Sequence, residues 1–160
     1  MGINQIGPKK YVAYIFVSFD FLGYAVDGLG DSVSLSVDSS VHLGQISISY
    51  ISGNPCSKLN RNPLWNCAGI AAIEVMKMLR IRSIGLSLSL HKGLPLGSGL
   101  GSSATSVATG IVAINEIFGG KLGSEELVLA RLKSEEKVSG YHADNVGPAG
   151  NLRLYSVFSC

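Results

Sequence analysis

A chain of 160 residues is long enough for one domain with a real hydrophobic core. It is 46% hydrophobic and 15% charged, which excludes an intrinsically disordered protein. A net charge of +2, without a basic cluster among aromatic residues, argues against a nucleic acid or a membrane surface as a partner. Cys56, Cys67 and Cys160 lack metal-ligand spacing, so we expect reduced thiols in an intracellular protein.

Four segments have the pattern of β-strands. The apolar segment Tyr11–Phe19 predicts a buried strand, and it is too short for a membrane helix of about 20 residues. Gly28 and Gly30 punctuate the segment of residues 27–31, before the next predicted strand. Residues 32–37, 45–51 and 84–91 alternate between apolar and polar side chains. The alternation places these residues on one face: Val33, Leu35 and Val37; Ile46, Ile48 and Tyr50; Ile84, Leu86, Leu88 and Leu90.

Three segments have the pattern of α-helices. Asn62-Pro63 predicts the start of the first, because Asn caps helices and Pro is tolerated at the first helical position. The second covers residues 104–118 and stops at Gly119-Gly120. Ser124 is the predicted N-cap of the third. The residues predicted to be buried on that helix are Leu129 and Leu132. The order of elements predicts an α+β domain, a mixed sheet covered by helices.

A glycine-rich loop, GLPLGSGLGSS over residues 93–103, joins the last strand to the second helix. Such a loop suits an anion, because the backbone can come close, free N–H groups point outward and the helix dipole favours negative charge. The Walker A pattern is absent, and Ser102 stands where the dinucleotide fingerprint needs glycine. A purely structural turn stays an alternative, although Pro95 stiffens the loop.

The run PLGSGLGSSA over residues 95–104 resembles the phosphate-loop motif of the GHMP small-molecule kinases. Within that superfamily the chain is most similar to homoserine kinases, those of plants in particular. The likeness covers about residues 19–149. It is also carried by residues 19–23, 25–31, 66–72, 115–119 and 141–145.

The resemblance implies the fold of the GHMP N-terminal domain, which is similar to the second domain of ribosomal protein S5. It implies Mg²⁺-dependent transfer of the ATP γ-phosphate to the hydroxyl of L-homoserine, a step of threonine biosynthesis. Homoserine kinases are thought to need no strong catalytic base, so we assign no catalytic residue. We expect a homodimer of the full-length family member, in the cytoplasm, or in a plastid if a plant transit peptide has been lost.

The resemblance also implies the residues of an ATP site. The loop residues would cradle the phosphates through their backbone amides. They are Pro95, Leu96, Gly97, Ser98, Gly99, Leu100, Gly101, Ser102 and Ser103. Asn66 matches a residue near adenine, and Ser103 and Glu135 match the Mg²⁺ ligands. As alternatives, Asn66 and Ser103 are ordinary polar residues at helix starts, and Glu135 is a solvated helix residue.

The implied substrate residues are Asp20, which would grip the ammonium group of homoserine, and His142 and Asn145. As alternatives, Asp20 is an acid at a strand end, and His142 is a surface loop residue. Tyr14 stands where the family carries a substrate-binding Asn. Residues 16–18 replace a Gly-Pro-Gly turn and predict a continuous strand, which should impair substrate binding.

The sequence also diverges from the family after Ala149. We therefore expect residues 1–149 to form the ATP-binding domain, with about 18 divergent residues first. Residues 150–160 would be a divergent tail, and the C-terminal GHMP domain would be absent. This predicts incomplete activity for this chain alone. Two alternatives stay open: a non-catalytic nucleotide-binding remnant, and a GHMP kinase with another alcohol acceptor.

Overall fold

Four strands form one sheet in the computed structural model, which describes residues 9–19, 22–53, 59–95 and 102–139. Side chains are described for residues 30–53, 59–95, 102–134 and 137. The strands are β1 (Lys9–Phe19), β2 (Leu22–Val37), β3 (Ile46–Gly53) and β4 (Leu86–Lys92). Their order is β1-β2-β4-β3, with β2 antiparallel to both neighbours and β3 parallel to β4. The prediction of a mixed sheet is therefore confirmed.

The strands β1 and β2 form a long antiparallel pair. The register shifts between Tyr14 and Ile15, which pair with Gly30 and Val26, so residues 27–29 of β2 fall opposite that step. A shift of this kind lets a strand carry extra residues and continue. Gly28 and Gly30 thus lie inside β2 and do not end it, while β1 runs without a break through residues 16–18, as predicted.

One predicted face is wrong on β3. Ile46 and Ile48 are buried as expected, but Tyr50 is 57% exposed and Ile51 is buried in its place. The pairing with β4 shifts between Ile48 and Tyr50, which leaves Ser49 as the extra residue of a bulge. Because side chains alternate along a strand, one extra residue moves all later side chains to the opposite face.

Three helices lie beside the sheet: α1 (Cys67–Met78), α2 (Ser102–Ile117) and α3 (Ser124–Ser139). The prediction that Asn62-Pro63 opens α1 is wrong. Asn62 instead caps a 3-10 turn, Pro63–Trp65, where its Oδ1 accepts from Leu64 N at 3.0 Å. The chain is then extended at Asn66, which caps α1.

The helix α3 departs from its prediction at two positions. Leu127 N donates to Gly123 O at 3.1 Å, and Glu126 Oε2 accepts from Gly123 N at 2.9 Å. Gly123 is therefore the N-cap, and Ser124 is the first helical residue. Leu129 is 52% exposed and not buried, because the buried stripe of α3 passes through Ala130 and Ser134.

The core lies between one face of the sheet and the helices. The predicted face of β4 is confirmed, since Leu86, Leu88 and Leu90 are all buried. The helices α1 and α2 approach closely, because a Cβ added at Gly110 would lie 2.8 Å from Ala68 O. None of the helices in the described ranges is long and apolar enough to cross a bilayer.

Candidate functional site

The glycine-rich loop leaves the sheet after Lys92 and reaches α2 at Ser102. Its middle, residues 96–101, lies outside the described residues, as do Asp20, His142 and Asn145. Glu135 lies on α3, without a described side chain. The roles predicted for these residues stay predictions. The described residues of the predicted site are Asn66, Pro95, Ser102 and Ser103.

The first turn of α2 presents two different serines. Ser103 is exposed, whereas Ser102 is 7% exposed. Within the described part of the chain, Ser102 Oγ is the buried side-chain polar atom without a hydrogen-bond partner. A buried hydroxyl without a partner is unfavourable and would be satisfied by a polar ligand. At the N-terminus of a 16-residue helix, the ligand best suited to both the hydroxyl and the dipole is an anion.

Asn66 has a structural role that uses most of its side chain. Its Oδ1 accepts from Ala68 N at 3.0 Å and from Gly69 N at 3.4 Å, and its Nδ2 donates to Asn60 O at 3.0 Å. The residue is only 3% exposed. Asn66 therefore fixes the start of α1, and its contact with adenine stays a prediction.

A buried ionic cluster connects both ends of the loop. We call Asp31, Lys92 and Ser106 the Lys92 cluster. The ammonium group of Lys92 donates to Asp31 Oδ2, to Ser106 Oγ at 2.6 Å and to Ser102 O at 2.9 Å. Ser106 Oγ donates to Asp31 Oδ2 at 2.6 Å, and Gly93 N donates to Asp31 Oδ1 at 3.2 Å. The side chains of Lys92 and Asp31 are 2% and 0% exposed.

The backbone next to this cluster is packed without room for side chains. A Cβ added at Gly93 would lie 2.0 Å from Gly30 O. A Cβ added at Gly53 would lie 2.0 Å from Lys92 O. The start of the loop therefore lies tightly between β2 and β3, which fixes the direction in which the chain leaves the sheet.

The Lys92 cluster was not predicted from the sequence, although the sequence carries a signal for it. Lys92 continues the inward phase of Leu86, Leu88 and Leu90, and Asp31 shares the phase of Val33 and Leu35. Since Ser32 pairs with His91, the next residues on the two strands are Asp31 and Lys92. Opposite charges at inward positions of neighbouring strands predict a buried pair, because an unpaired buried charge is strongly unfavourable.

A second ionic cluster joins α1 to α3, and we call Glu74, Lys77 and Lys137 the Glu74 cluster. Glu74 Oε1 accepts from Lys77 Nζ at 3.0 Å and from Lys137 Nζ. Burial raises the pKa of the Glu74 carboxyl, but the hydrogen bonds and charges of the two lysines outweigh it and lower the pKa below its usual 4.5. Lys137 follows the predicted Mg²⁺ ligand Glu135 by two residues, so this contact joins that turn of α3 to α1.

The comparisons with known proteins agree with this fold. A homoserine kinase from Arabidopsis thaliana is 70% identical over 149 residues, 93% of this chain and 40% of the relative. One from Buchnera aphidicola subsp. Schizaphis graminum (strain Sg) is 38% identical over 158 residues, 94% of this chain and 49% of the relative. The crystal structure of homoserine kinase from Cytophaga hutchinsonii ATCC 33406 has a TM-score of 0.77 and 32% identity. That match covers 91% of this chain and 47% of the other.

The chain thus spans less than half the length of each of these relatives. A profile of the GHMP kinases N terminal domain matches residues 66–150, more than half of the chain. The matched region contains the cap of α1, the glycine-rich loop and most of the Lys92 cluster. The expected family is confirmed: the chain belongs to the GHMP kinases.

Proposed function

We propose that this chain binds ATP with Mg²⁺ at the N-terminus of α2 and serves the phosphorylation of L-homoserine. The observation that carries the nucleotide site is the buried hydroxyl of Ser102, without a partner, at the end of the glycine-rich loop. The relatives named homoserine kinase supply the acceptor, the side-chain hydroxyl of homoserine.

Phosphoryl transfer mainly requires positioning and neutralisation of charge. The amides and dipole at the start of α2 would face the phosphates, and the oxygens of Ser103 and Glu135 would bind Mg²⁺, a hard cation. In the reaction, the homoserine oxygen forms a bond to the γ-phosphorus while the bond from that phosphorus to the ADP oxygen breaks. The hydroxyl proton is released to solvent. Asp20, His142 and Asn145 would hold the amino acid.

The test is titration calorimetry of the purified chain with Mg-ATP, followed by an assay of ADP release with homoserine, mevalonate or galactose. We expect saturable Mg-ATP binding and no ADP release with mevalonate or galactose. Absence of binding would overturn the nucleotide site. Faster turnover with another alcohol would overturn the acceptor, and binding without turnover would support the nucleotide site and contradict catalysis by this chain alone.

Replacing Ser102 with alanine separates binding from stability. Because Ser102 Oγ is buried without a partner, Ser102→Ala should leave the midpoint of thermal unfolding unchanged or raised. Loss of a hydrogen bond to a phosphate should weaken Mg-ATP binding about tenfold. The matched control is Ser124→Ala, at the exposed first position of α3. Equal Mg-ATP affinity in the wild type and Ser102→Ala would contradict the role of this hydroxyl.

A further inference from the structure

We infer that Asp31, Lys92 and Ser106 are positioning residues that fasten both ends of the glycine-rich loop and set its geometry for phosphate. The inference rests on the proposed nucleotide site and extends it to residues that do not touch the nucleotide. A loop that binds phosphate through its backbone amides needs other groups to hold its shape, because the phosphate is not always bound.

Both ends of the loop are tied to the same carboxylate. At the start of the loop, Gly93 N donates to Asp31 Oδ1 at 3.2 Å. At its end, Ser102 O accepts from Lys92 Nζ at 2.9 Å, and the same ammonium group donates to Asp31 Oδ2. A movement of β2 or of the first turn of α2 would therefore change the separation of the loop ends.

The hydroxyl of Ser106 joins this arrangement one turn into α2. It accepts from Lys92 Nζ and donates to Asp31 Oδ2, both at 2.6 Å. The start of α2 is thus attached to the sheet at two points, the carbonyl of Ser102 and the hydroxyl of Ser106, which both accept from Lys92 Nζ. Two attachments on successive turns fix the direction of the helix axis as well as the position of its end.

The charge of Lys92 is balanced inside the cluster. An ammonium group has three hydrogens, and all three have acceptors here. In a Walker A loop the lysine reaches the phosphates, whereas Lys92 is 2% exposed and paired with Asp31. Lys92 therefore acts on the nucleotide through the loop and the helix that it holds.

The energetics of buried ion pairs agree with a positioning role. Replacing such a pair by apolar residues of similar size is often neutral for stability, because desolvation offsets the attraction. Geometry, by contrast, is lost with the pair, since no apolar side chain can hold both Gly93 N and Ser102 O. A displacement of about 1 Å at a reactive centre can reduce rates about 100-fold.

The experiment compares three variants of the 160-residue chain. Asp31→Asn with Lys92→Met removes both charges and the contact to Ser102 O, and leaves no unpaired buried charge. Ser106→Ala is the smaller change. If the double variant does not fold, the result for Ser106→Ala decides whether the inference holds. Ile114→Val is the control, because it removes a buried methylene far along α2 and touches no member of the cluster.

Two measurements report on the site in each variant: Mg-ATP affinity, and amide hydrogen exchange of residues 93–106 without nucleotide. The midpoint of thermal unfolding reports separately on stability. We expect the double variant to exchange faster in this segment and to bind Mg-ATP at least about tenfold more weakly, with Ser106→Ala intermediate. Ile114→Val should lower the unfolding midpoint while leaving both measurements as in the wild type.

The outcomes separate this inference from the proposed function. A wild-type chain that binds no Mg-ATP would overturn the proposed function. Unchanged exchange of residues 93–106 in the folded cluster variants would overturn the inference by itself. Equal loss of affinity in Ile114→Val and the cluster variants would also overturn it, because the effect would then follow stability alone.

Discussion

The two ionic clusters of this molecule differ in how far they are removed from water. In the Lys92 cluster both charged side chains are buried, at 2% and 0% exposed. In the Glu74 cluster the carboxylate is 8% exposed, but Lys77 and Lys137 are 61% and 51% exposed. The first links sheet to loop and helix, and the second links α1 to α3.

The difference decides what each cluster contributes. A half-exposed lysine exchanges its partner for water at little cost, so such pairs stabilise by about 0–1 kcal/mol. A buried pair has no such exchange, so that removal of one member leaves a charge that nothing compensates. We therefore expect the Lys92 cluster to hold the loop and α2 in one fixed geometry. In the Glu74 cluster we expect the lysines to exchange their contact with Glu74 for water.

The largest expected effect is that of Lys92→Met. It leaves the Asp31 carboxylate buried without a cation, and it should lower the free energy of unfolding by about 3–5 kcal/mol. Adding Asp31→Asn removes the uncompensated charge and should restore most of that loss. Urea unfolding followed by circular dichroism measures both. A loss for Lys92→Met below about 1 kcal/mol would show that Asp31 reaches water.

A smaller effect is expected for Glu74→Gln, about 1 kcal/mol or less at neutral pH. The folded state lowers the pKa of Glu74, so its contribution is present above about pH 4.5 and is lost as pH falls through the lowered pKa. The stability of wild type and variant, measured by urea unfolding at pH 7 and near pH 3, should therefore converge in acid. A difference that is constant with pH would contradict this assignment.

The smallest effects are expected for Lys77→Met and Lys137→Met, a few tenths of a kcal/mol each. Lys137 should matter more, because its contact joins two helices while Lys77 lies on the same helix as Glu74. Salt at about 1 M shortens the screening length to about 3 Å and should remove both effects. The effect of Lys92→Met should persist in the same salt, and its disappearance would place that cluster in contact with solvent.

Much of the sheet could be predicted because alternation is a local property. The alternation of Leu86, Leu88 and Leu90 shows which face of β4 is buried, whichever strand pairs with it. The bulge at Ser49 could not be predicted in this way, since it exists only in the pairing of β3 with β4. Tyr50 and Ile51 are both β-prone and apolar, so their composition does not tell which one faces the core.

The start of α1 was ambiguous for a different reason. Asn62 and Asn66 are both suited to capping, and the sequence offers each a plausible helix. Burial decides between them: Leu64 and Trp65 are 65% and 75% exposed, whereas Ala68 is fully buried. The helix therefore begins where its side chains can be buried. Burial depends on the packing of the whole fold, which the local sequence does not show.

The glycine-rich loop itself was predicted from its sequence, but what holds it was not. The residues of the motif lie consecutively, whereas Asp31 and Lys92 are separated by 61 positions. The alternation of side chains along β2 and β4 shows that each charge points inward. Only the pairing of the two strands shows that Asp31 and Lys92 meet. A site's support is therefore harder to predict than the site.

The close approach of Gly110 to Ala68 fixes the point at which α2 crosses α1. Gly110 follows Ser102, the first residue of α2, by eight positions, which is about 12 Å along a helix axis. Ala68 lies in the first turn of α1, two residues after its cap. The spacing between the N-termini of α1 and α2 is therefore set by a contact of backbone against backbone. A ligand that spans both starts must match that spacing, because no side-chain rotamer at the crossing can lengthen or shorten it.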